Sequence, residues 1–567
     1  MLRFPPARPL LLGGLAFLTA PAFAQGEPWY DHNPLPQGMT AEEETRRSEI
    51  GRDFVRTAPP PATARAVAEF EPSEAVLVRY PLGIPLDLVR ALSEHTRVIT
   101  IVSGPSQEAQ ATAAYTEAGV NLLRADFLHA PSNSIWTRDY GPFYVADAES
   151  REIGLVDFVY NRPRASDDAI PQALGAYLDA PVYAMDVVHT GGNYMADGHG
   201  TAASTDLLWD ENEADPFDLL DEIQTYLGVE TYHVTLDPQD SYLKHIDTWG
   251  KFLDVDQVLL SEVPSSHPRY DEHESVAAYF ASQTSPYGTP YTVHRVYTPN
   301  GQPYTNSLIV NDRVFVPISN SPWDDDALEV YRQAMPGYTV EGFTGSWLST
   351  DALHCRVKQV ADREMLSVRH HPPAAELAHT ATLDLEAEIV AYSGADLLPE
   401  ALVLIASLDG APADTLTLQP TDDDRYAASL SIPDAGASVA YYFAAADASG
   451  RVAHFPMVGP AAPRTVTVSP LSVSAEPTAT TERFQLATPY PNPAAEGATI
   501  AFEVQGEGAV TLDVLDLLGR RVAVLHDGLA MSGEHNLWWD ARSAAPGVYL
   551  IRLHTPDGVL MQRLTVQ

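Results

Sequence analysis

Over its first two thirds the chain alternates short apolar runs with amphipathic stretches, and then settles into plain polar–apolar alternation. "EAVLVRYPL", "RVITIVSG", "IGLVDFVY", "QVLLSEV" and "SLIVNDRVFVPI" are apolar runs of strand length bounded by turn residues, which predicts short buried strands. "PLDLVRALSEH", "PFDLLDEIQTYLG" and "DDDALEVYRQAM" repeat apolar residues at helical spacing behind acidic starts, which predicts helices. Strands and helices taking turns across residues 65–366 predict an α/β region. Across 367–468 the spacing changes. "ATLDLEAEIVAYSG", "ALVLIASLDG" and "ASVAYYFAAADASGRVAHFP" alternate with turn signals between them, which predicts an antiparallel sandwich of immunoglobulin-like character. Residues 469–485 read as a linker. Residues 486–567, with "ATIAFEV", "AVTLDVLD" and "GVYLIRLH", predict a second small β-sandwich.

The first residues do not fit a packed domain. Arg3 and Arg8 precede the apolar "PLLLGGLAFLTA", which is too short to span a bilayer, and "AFA" ends at Ala24. Residues 1–24 therefore read as a secretory signal. Residues 25–64 are polar and Pro-rich, an N-terminal extension or pro-segment. No later stretch is long and apolar enough to span a membrane, so the expected product is exported and soluble. The formal net charge of −42 argues against nucleic acid as a partner and favours cationic ligands. Lysine is rare, confined to positions 244, 251 and 358.

Cys355 is the sole cysteine, which rules out an internal disulfide. An unpaired thiol is often just a small buried hydrophobe. Its setting, "TGSWLSTDALHCRV", is a loop rich in Gly, Ser and Thr, where reactive groups are common. Elsewhere "SIWTRDYGPFYV" carries Trp136, Arg138 and Asp139. "LKHIDTWGKF" carries His245 and Asp247, two apart and so on one face of an extended segment, and "PYTNSLIV" carries Asn306. A thiolate attacks an electrophilic carbon, a histidine shuttles protons near neutral pH, and two carboxylates grip a planar cation. A guanidinium is such a cation. His354 adjoins Cys355, but on an extended chain neighbours face opposite ways, so it is not expected to be the base. His267 and His273 lie among acids without metalloprotease spacing and read as a solvated acidic helix start. Asp139 could alternatively only brace Arg138. "GGNYMADGHGT" lacks the calcium-loop ladder and reads as turns lining a site, with Asn193 in support. No phosphate-cradling Gly-rich loop occurs, and the chemistry needs no nucleotide cofactor.

Taken in order, "WTRDYGP", "HTGGNYMADGHGT", "KHIDTW", "YTNS" and "LHC" resemble the guanidine-modifying superfamily. The likeness is greatest to bacterial peptidylarginine deiminases of the Porphyromonas type, and next to agmatine deiminases. The resemblance implies a five-bladed α/β propeller over residues 65–366. It implies that Asp139 and Asp247 hold a guanidinium, that Cys355 attacks its carbon, and that His245 moves protons. Asn306 would position the thiol or substrate and Trp136 would pack beside the guanidinium. A covalent thiouronium would be hydrolysed to citrulline, with the bound cation and a protonated His245 favouring the thiolate. In "VYNRPRASDD", Arg162 and Arg164 match arginines that bind a C-terminal carboxylate in that family, which implies arginine-ended peptides, and free arginine, as substrates. Tyr242 would close over them. The alternative for these arginines is surface pairing with Asp167 and Asp168. Agmatine, which lacks a carboxylate, remains the competing substrate, and a non-catalytic surface adhesin the competing class. The resemblance also implies no calcium requirement. Finally, "YPNPAAEGATIAFEV", "VLDLLGRRVAVL" and "APGVYLIRL" resemble the C-terminal sorting domain of type IX secretion, which makes that machinery an expected partner.

Overall fold

The computed structural model describes residues 28–433, 435–470, 483–516 and 519–567. The proposed signal segment at 1–24 and most of the linker at 469–485 lie outside the described residues. Contacts divide the chain into two units, one within Met1–Leu471 and one within Ser472–Gln567.

The α/β part of the first unit repeats one motif five times: an antiparallel strand pair, a helix, then a strand parallel to the second member of the pair. Phe143–Asp147 and Glu152–Tyr160 pair antiparallel, Ile170–Leu178 is the helix, and Val182–His189 returns parallel. The second repeat is Met195–Ala196, Thr201–Thr205, Pro216–Leu227 and Thr231–Thr235. The third is Gly250–Asp254, Gln257–Glu262, Tyr270–Ala281 and Thr292–Tyr297. The fourth is Leu308–Val310, Arg313–Ile318, Asp324–Ala334 and Thr339–Thr344. The remaining repeat begins near the N-terminus with Ser73–Arg79, Leu86–His95 and Arg97–Val102, and adds a parallel strand, Ala125–His129. Its antiparallel partner is Lys358–Ala361, from the far end of the region.

The apolar runs are near-continuous because these strands are covered on both sides. In Ser73–Arg79 and Arg97–Val102, Leu77, Ile99 and Ile101 feed one core while Val76, Val78 and Val98 feed another. "SLIVNDRVFVPI", expected as one strand, is a hairpin instead. Asn311 turns the chain at φ 55°, and its side chain bonds both the N–H and the carbonyl of Ser73. Asn tolerates that left-handed region, which makes it a turn former. His273 is buried and shares a 3.1 Å hydrogen bond with Ser261, so the expected solvated helix start is corrected at that residue.

The rest of the first unit is β-rich. Leu366–His370, Thr382–Ala391, Arg425–Ser431 and Gln419–Asp422 form one sheet. A second is built on Ala437–Ala446, with Val403–Leu408 and Arg464–Val468 beside it. Leu385, Ile389, Leu404, Val439 and Phe443 belong to one core of this region. The second unit is also β-rich. One sheet joins Gly497–Val504 to Gly533–Asp540, and another joins Gly508–Asp516 to Gly547–Thr555. Ile500, Phe502, Leu512, Ile551, Leu553 and Leu564 pack in its core.

Candidate active site

The five repeats share a placement that linear reading does not reveal. Just before the first strand of each pair the chain makes a tight turn, and those turns carry the candidate residues. Thr137–Tyr140 holds Asp139, Gly191–Asn193 is the glycine turn, and Ile246–Thr248 holds Asp247 with His245 at its entry. Asn306 immediately precedes Leu308–Val310, and His354–Arg356 holds Cys355. A short helical turn re-aims side chains that an extended chain would alternate.

That geometry corrects the premise that His354 and Cys355 face opposite ways. Its Nδ1 lies 2.6 Å from Asp247 Oδ2, and the Cys355 Sγ lies 3.6 Å from the same oxygen. His354 and Cys355 share a side because the turn replaces extended chain. His354 Nε2 also meets Glu69 Oε2 at 2.6 Å, and Glu69 is held by Lys251 at 3.1 Å and Arg138 at 3.5 Å. Arg138 therefore pairs with Glu69, and Asp139 is not its brace.

Asn306 organises the thiol. Its Nδ2 donates to Cys355 Sγ at 3.3 Å, and its Oδ1 accepts from the backbone N–H groups of His354 and Cys355 at 3.0 and 3.3 Å. Asn193 Oδ1 accepts from the N–H of Thr205 and, at 3.3 Å, from that of Ile246, tying down the turn that carries Asp247. His245 Nδ1 lies 3.6 Å from Asp139 Oδ1. A Cβ on Gly192 would sit 2.6 Å from His245 Nδ1 and 2.7 Å from Asp139 Oδ1, so only glycine lets these two groups meet.

Asp139, His245, Asp247, Asn306 and Cys355 are all buried. Burial and the nearby Asp247 charge push the Asp139 carboxyl up to about 7. Burial also works against the Asp247 charge, but the hydrogen bond and charge of His354 outweigh it and hold that carboxyl below its ordinary range. Two close carboxylates with one easily ionised and one not is the usual result of like charges sharing a site. Burial takes His245 down to about 3, so the imidazole is neutral, not protonated as the resemblance implied. Burial and the charges of Asp247 and Asp139 push the Cys355 thiol well up. One oxygen of each carboxylate, Asp139 Oδ1 and Asp247 Oδ1, is buried with no hydrogen-bond partner. Unpartnered buried acceptors are costly, and a donor-only cation is the group that would satisfy them.

The other expected residues contact the N-terminal segment. Trp136 Nε1 donates to the Leu35 carbonyl at 2.9 Å, and its ring lies 5.5 Å from the Arg356 guanidinium. Arg162 Nε donates to the Gln37 carbonyl at 3.0 Å. Arg164 grips the Glu43 carboxylate at 2.7 and 3.1 Å and the carbonyls of Pro36 and Gly38 at 2.7 and 3.0 Å. Pairing with Asp167 and Asp168 is thus not what these arginines do. Tyr242 is largely exposed, and its ring lies 2.6 Å from where a Cβ on Gly38 would stand. Glu69, Gly192 and Gln37 were absent from the expected set. Gly192 alone left a signal, the double glycine in "HTGGNY". Among the described residues no cluster of three or more His, Cys, Asp or Glu side chains could hold a metal ion, and no helix is long and apolar enough to cross a membrane.

A profile of the Porphyromonas-type peptidyl-arginine deiminase family matches residues 65–360, and one of the secretion system C-terminal sorting domain matches residues 488–567. A Streptomyces avermitilis protein assigned as an agmatine deiminase is 24% identical over 319 residues, spanning 49% of this chain and 90% of the relative. A solved structure assigned as an agmatine deiminase superposes with a TM-score of 0.50 at 21% identity, over 55% of this chain and 99% of that one. The agmatine deiminase of Enterococcus faecalis gives 0.49 at 21% identity, over 54% and 99%. The likeness to the first of these structures shows a shared α/β fold.

Proposed function

The chain belongs to the Porphyromonas-type peptidyl-arginine deiminase family, and from that premise we propose that it hydrolyses the guanidinium of arginine at peptide C-termini, and of free arginine, to citrulline and ammonia. The observation that carries this reading is the pair of buried, partnerless oxygens on Asp139 and Asp247, the second belonging to a carboxylate whose other oxygen lies 3.6 Å from the Cys355 thiol. Both carboxylates take the guanidinium through charge-assisted hydrogen bonds. Its positive charge offsets the two anions that raise the thiol, so the thiolate forms as substrate binds. The thiol proton passes to the neutral His245, Sγ attacks the central carbon, and His245 hands that proton to the departing nitrogen as the C–N bond breaks, so that it leaves as ammonia. Water activated by His245 then attacks the thiouronium carbon, and the C–S bond breaks to give citrulline and free Cys355. Asn306 aims the sulfur throughout. Glu69 and His354 keep Asp247 ionised and oriented.

Arg162 and Arg164 supply the carboxylate preference, with Tyr242 and Trp136 walling the approach. The five repeats close as propeller blades around this site, and 367–468 forms an immunoglobulin-like module. The signal segment and the type IX sorting tail carry the protein to the cell surface or beyond. A second reading, an agmatine or small-guanidine deiminase, is favoured by the relatives named for agmatine. Ammonia release from agmatine, free arginine, an arginine-ended peptide and an internal-arginine peptide separates the two. Faster turnover of agmatine would overturn the carboxylate role of Arg162 and Arg164. Citrulline formation that survives Cys355→Ser would overturn the mechanism, and no turnover of any guanidine, either by the wild type or by a chain freed of its N-terminal segment, would leave the adhesin reading.

A further inference from the structure

Gln37 threads the N-terminal segment into the centre of the site. Its Nε2 donates to Asp139 Oδ2 at 2.9 Å and lies 3.4 Å from His245 Nδ1, although these residues are far apart in sequence. The side chain is buried. A carboxamide is the nearest neutral analogue of a guanidinium: planar, with N–H donors at its end. The match is imperfect in one revealing respect. Gln37 Oε1 is buried without a partner, in a cradle that already holds the unpaired acceptors Asp139 Oδ1 and Asp247 Oδ1. A site lined with acceptors has no use for a carbonyl oxygen; it is built for a group with donors only.

The other end of the segment repeats the imitation. Glu43 presents its carboxylate to Arg164 in a two-pronged contact, and Thr40 also bonds it in a capping box at the start of Ala41–Glu44. Around Gln37 itself, Arg162 and Arg164 take the carbonyls of Pro36, Gln37 and Gly38. Gly38 passes under the Tyr242 ring, where a Cβ would not fit. One stretch of chain thus meets the candidate cation cradle, the candidate carboxylate forks and both aromatic walls.

We infer that residues 35–43 are a built-in pseudosubstrate, with Gln37 standing in for the reacting side chain and Glu43 for the terminal carboxylate, so that the full chain is latent until this segment leaves. The inference rests on the guanidine-cradle reading of the site. Exposed chain follows the segment, with Arg47 and Arg52 outward and Asp53 almost fully exposed, so a cut there reaches the solvent side. A substrate then competes only with a severed peptide, not with a tethered one at high effective concentration.

Two measurements test it on the whole protein. In the first, Cys355 is alkylated with a small haloacetamide and followed by mass spectrometry. Gln37→Ala, alone and with Glu43→Gln, is expected to label at least roughly tenfold faster than wild type, since the open state is then more populated. A chain with a protease site inserted between Asp53 and Phe54 should speed up on cutting. Equal rates in all forms would overturn the inference. In the second, Gln37→Arg brings a true guanidinium to the Asp139 side of the cradle. The side chain is expected to gain the mass change of nitrogen replaced by oxygen, at a rate independent of protein concentration, and Cys355→Ser in the same chain should stop it. If the introduced arginine stays intact while that preparation converts an added guanidine, the pseudosubstrate is refuted and the deiminase stands. If labelling accelerates as expected but no form converts any guanidine, the deiminase reading falls and the occlusion stands.

Discussion

The centre of the α/β part and the core of the last module both pack apolar side chains to near-zero exposure, but they treat buried charge in opposite ways. In the last module the buried acid Asp513 is met by Arg521 and Arg552 at 2.9 and 2.8 Å. In the α/β part, Asp139 and Asp247 each keep one oxygen without a partner, and Lys358 lies under aromatic rings, 5.8 Å from Phe143, with burial pushing its ammonium well down. Nothing in strand packing requires such groups, and leaving a buried polar atom unpaired costs stability. Where a fold leaves acids unpaired in one buried place and pairs them in another, the first place is the candidate for a ligand to complete.

The contrast is broken most severely by Asp247→Asn. It removes the charge shared by His354, Cys355 and the cradle. We expect kcat/KM for the preferred guanidine to fall by about 10³-fold, with unfolding of the last module, followed by calorimetry, unchanged. The mirror experiment is Ile551→Ala. It opens a cavity in the terminal core and should destabilise that module by about 2–5 kcal/mol, while steady-state kinetics stay at the wild-type level.

A pH series sharpens the difference further. The Asp139 carboxyl titrates at about 7, raised from the ordinary 3.8 by burial and by Asp247. In the unfolded chain this group has already lost its proton at pH 5, whereas in the fold it keeps it. Its contribution to stability therefore weakens as pH climbs from about 4 to about 7. Ligand binding runs the other way, because a cation needs the anion. The affinity for an unreactive guanidinium, read by calorimetry, should rise roughly tenfold per pH unit below that point and level off above it. Asp139→Asn should flatten the curve. The smallest effect belongs to the Arg542–Asp540 pair, 2.5 Å apart on the surface of the last module. Arg542→Ala should shift thermal unfolding by no measurable amount, because water competes for both groups.

Motifs made much of this centre legible. Cys355, His245, Asp247, Asp139 and Asn306 stood out by type and order, and the structure brings all five to neighbouring turns. Helices such as Leu86–His95 and Pro216–Leu227 were plain in their apolar spacing. Glu69 was not, since a lone glutamate between strands has no local signature, and its pairing with His354 exists only through long-range folding. The direction of His354 relative to Cys355 was misread because alternation assumes extended chain, and a single helical turn cancels it. Gln37 was hidden for a different reason: a polar Pro-rich segment looks like solvated tether, and only a docking surface elsewhere gives it a place. The equivalence of the five turns was equally invisible, because the repeats share strand order and not residues.

The strand that completes the repeat opened by Ser73–Arg79, Lys358–Ala361, follows Cys355 after two intervening residues. A growing polypeptide therefore has neither its thiol nor its sheet-closing edge until nearly the whole α/β region has left the ribosome. Fragments that stop short lack the only thiol as well as the strand that closes this sheet.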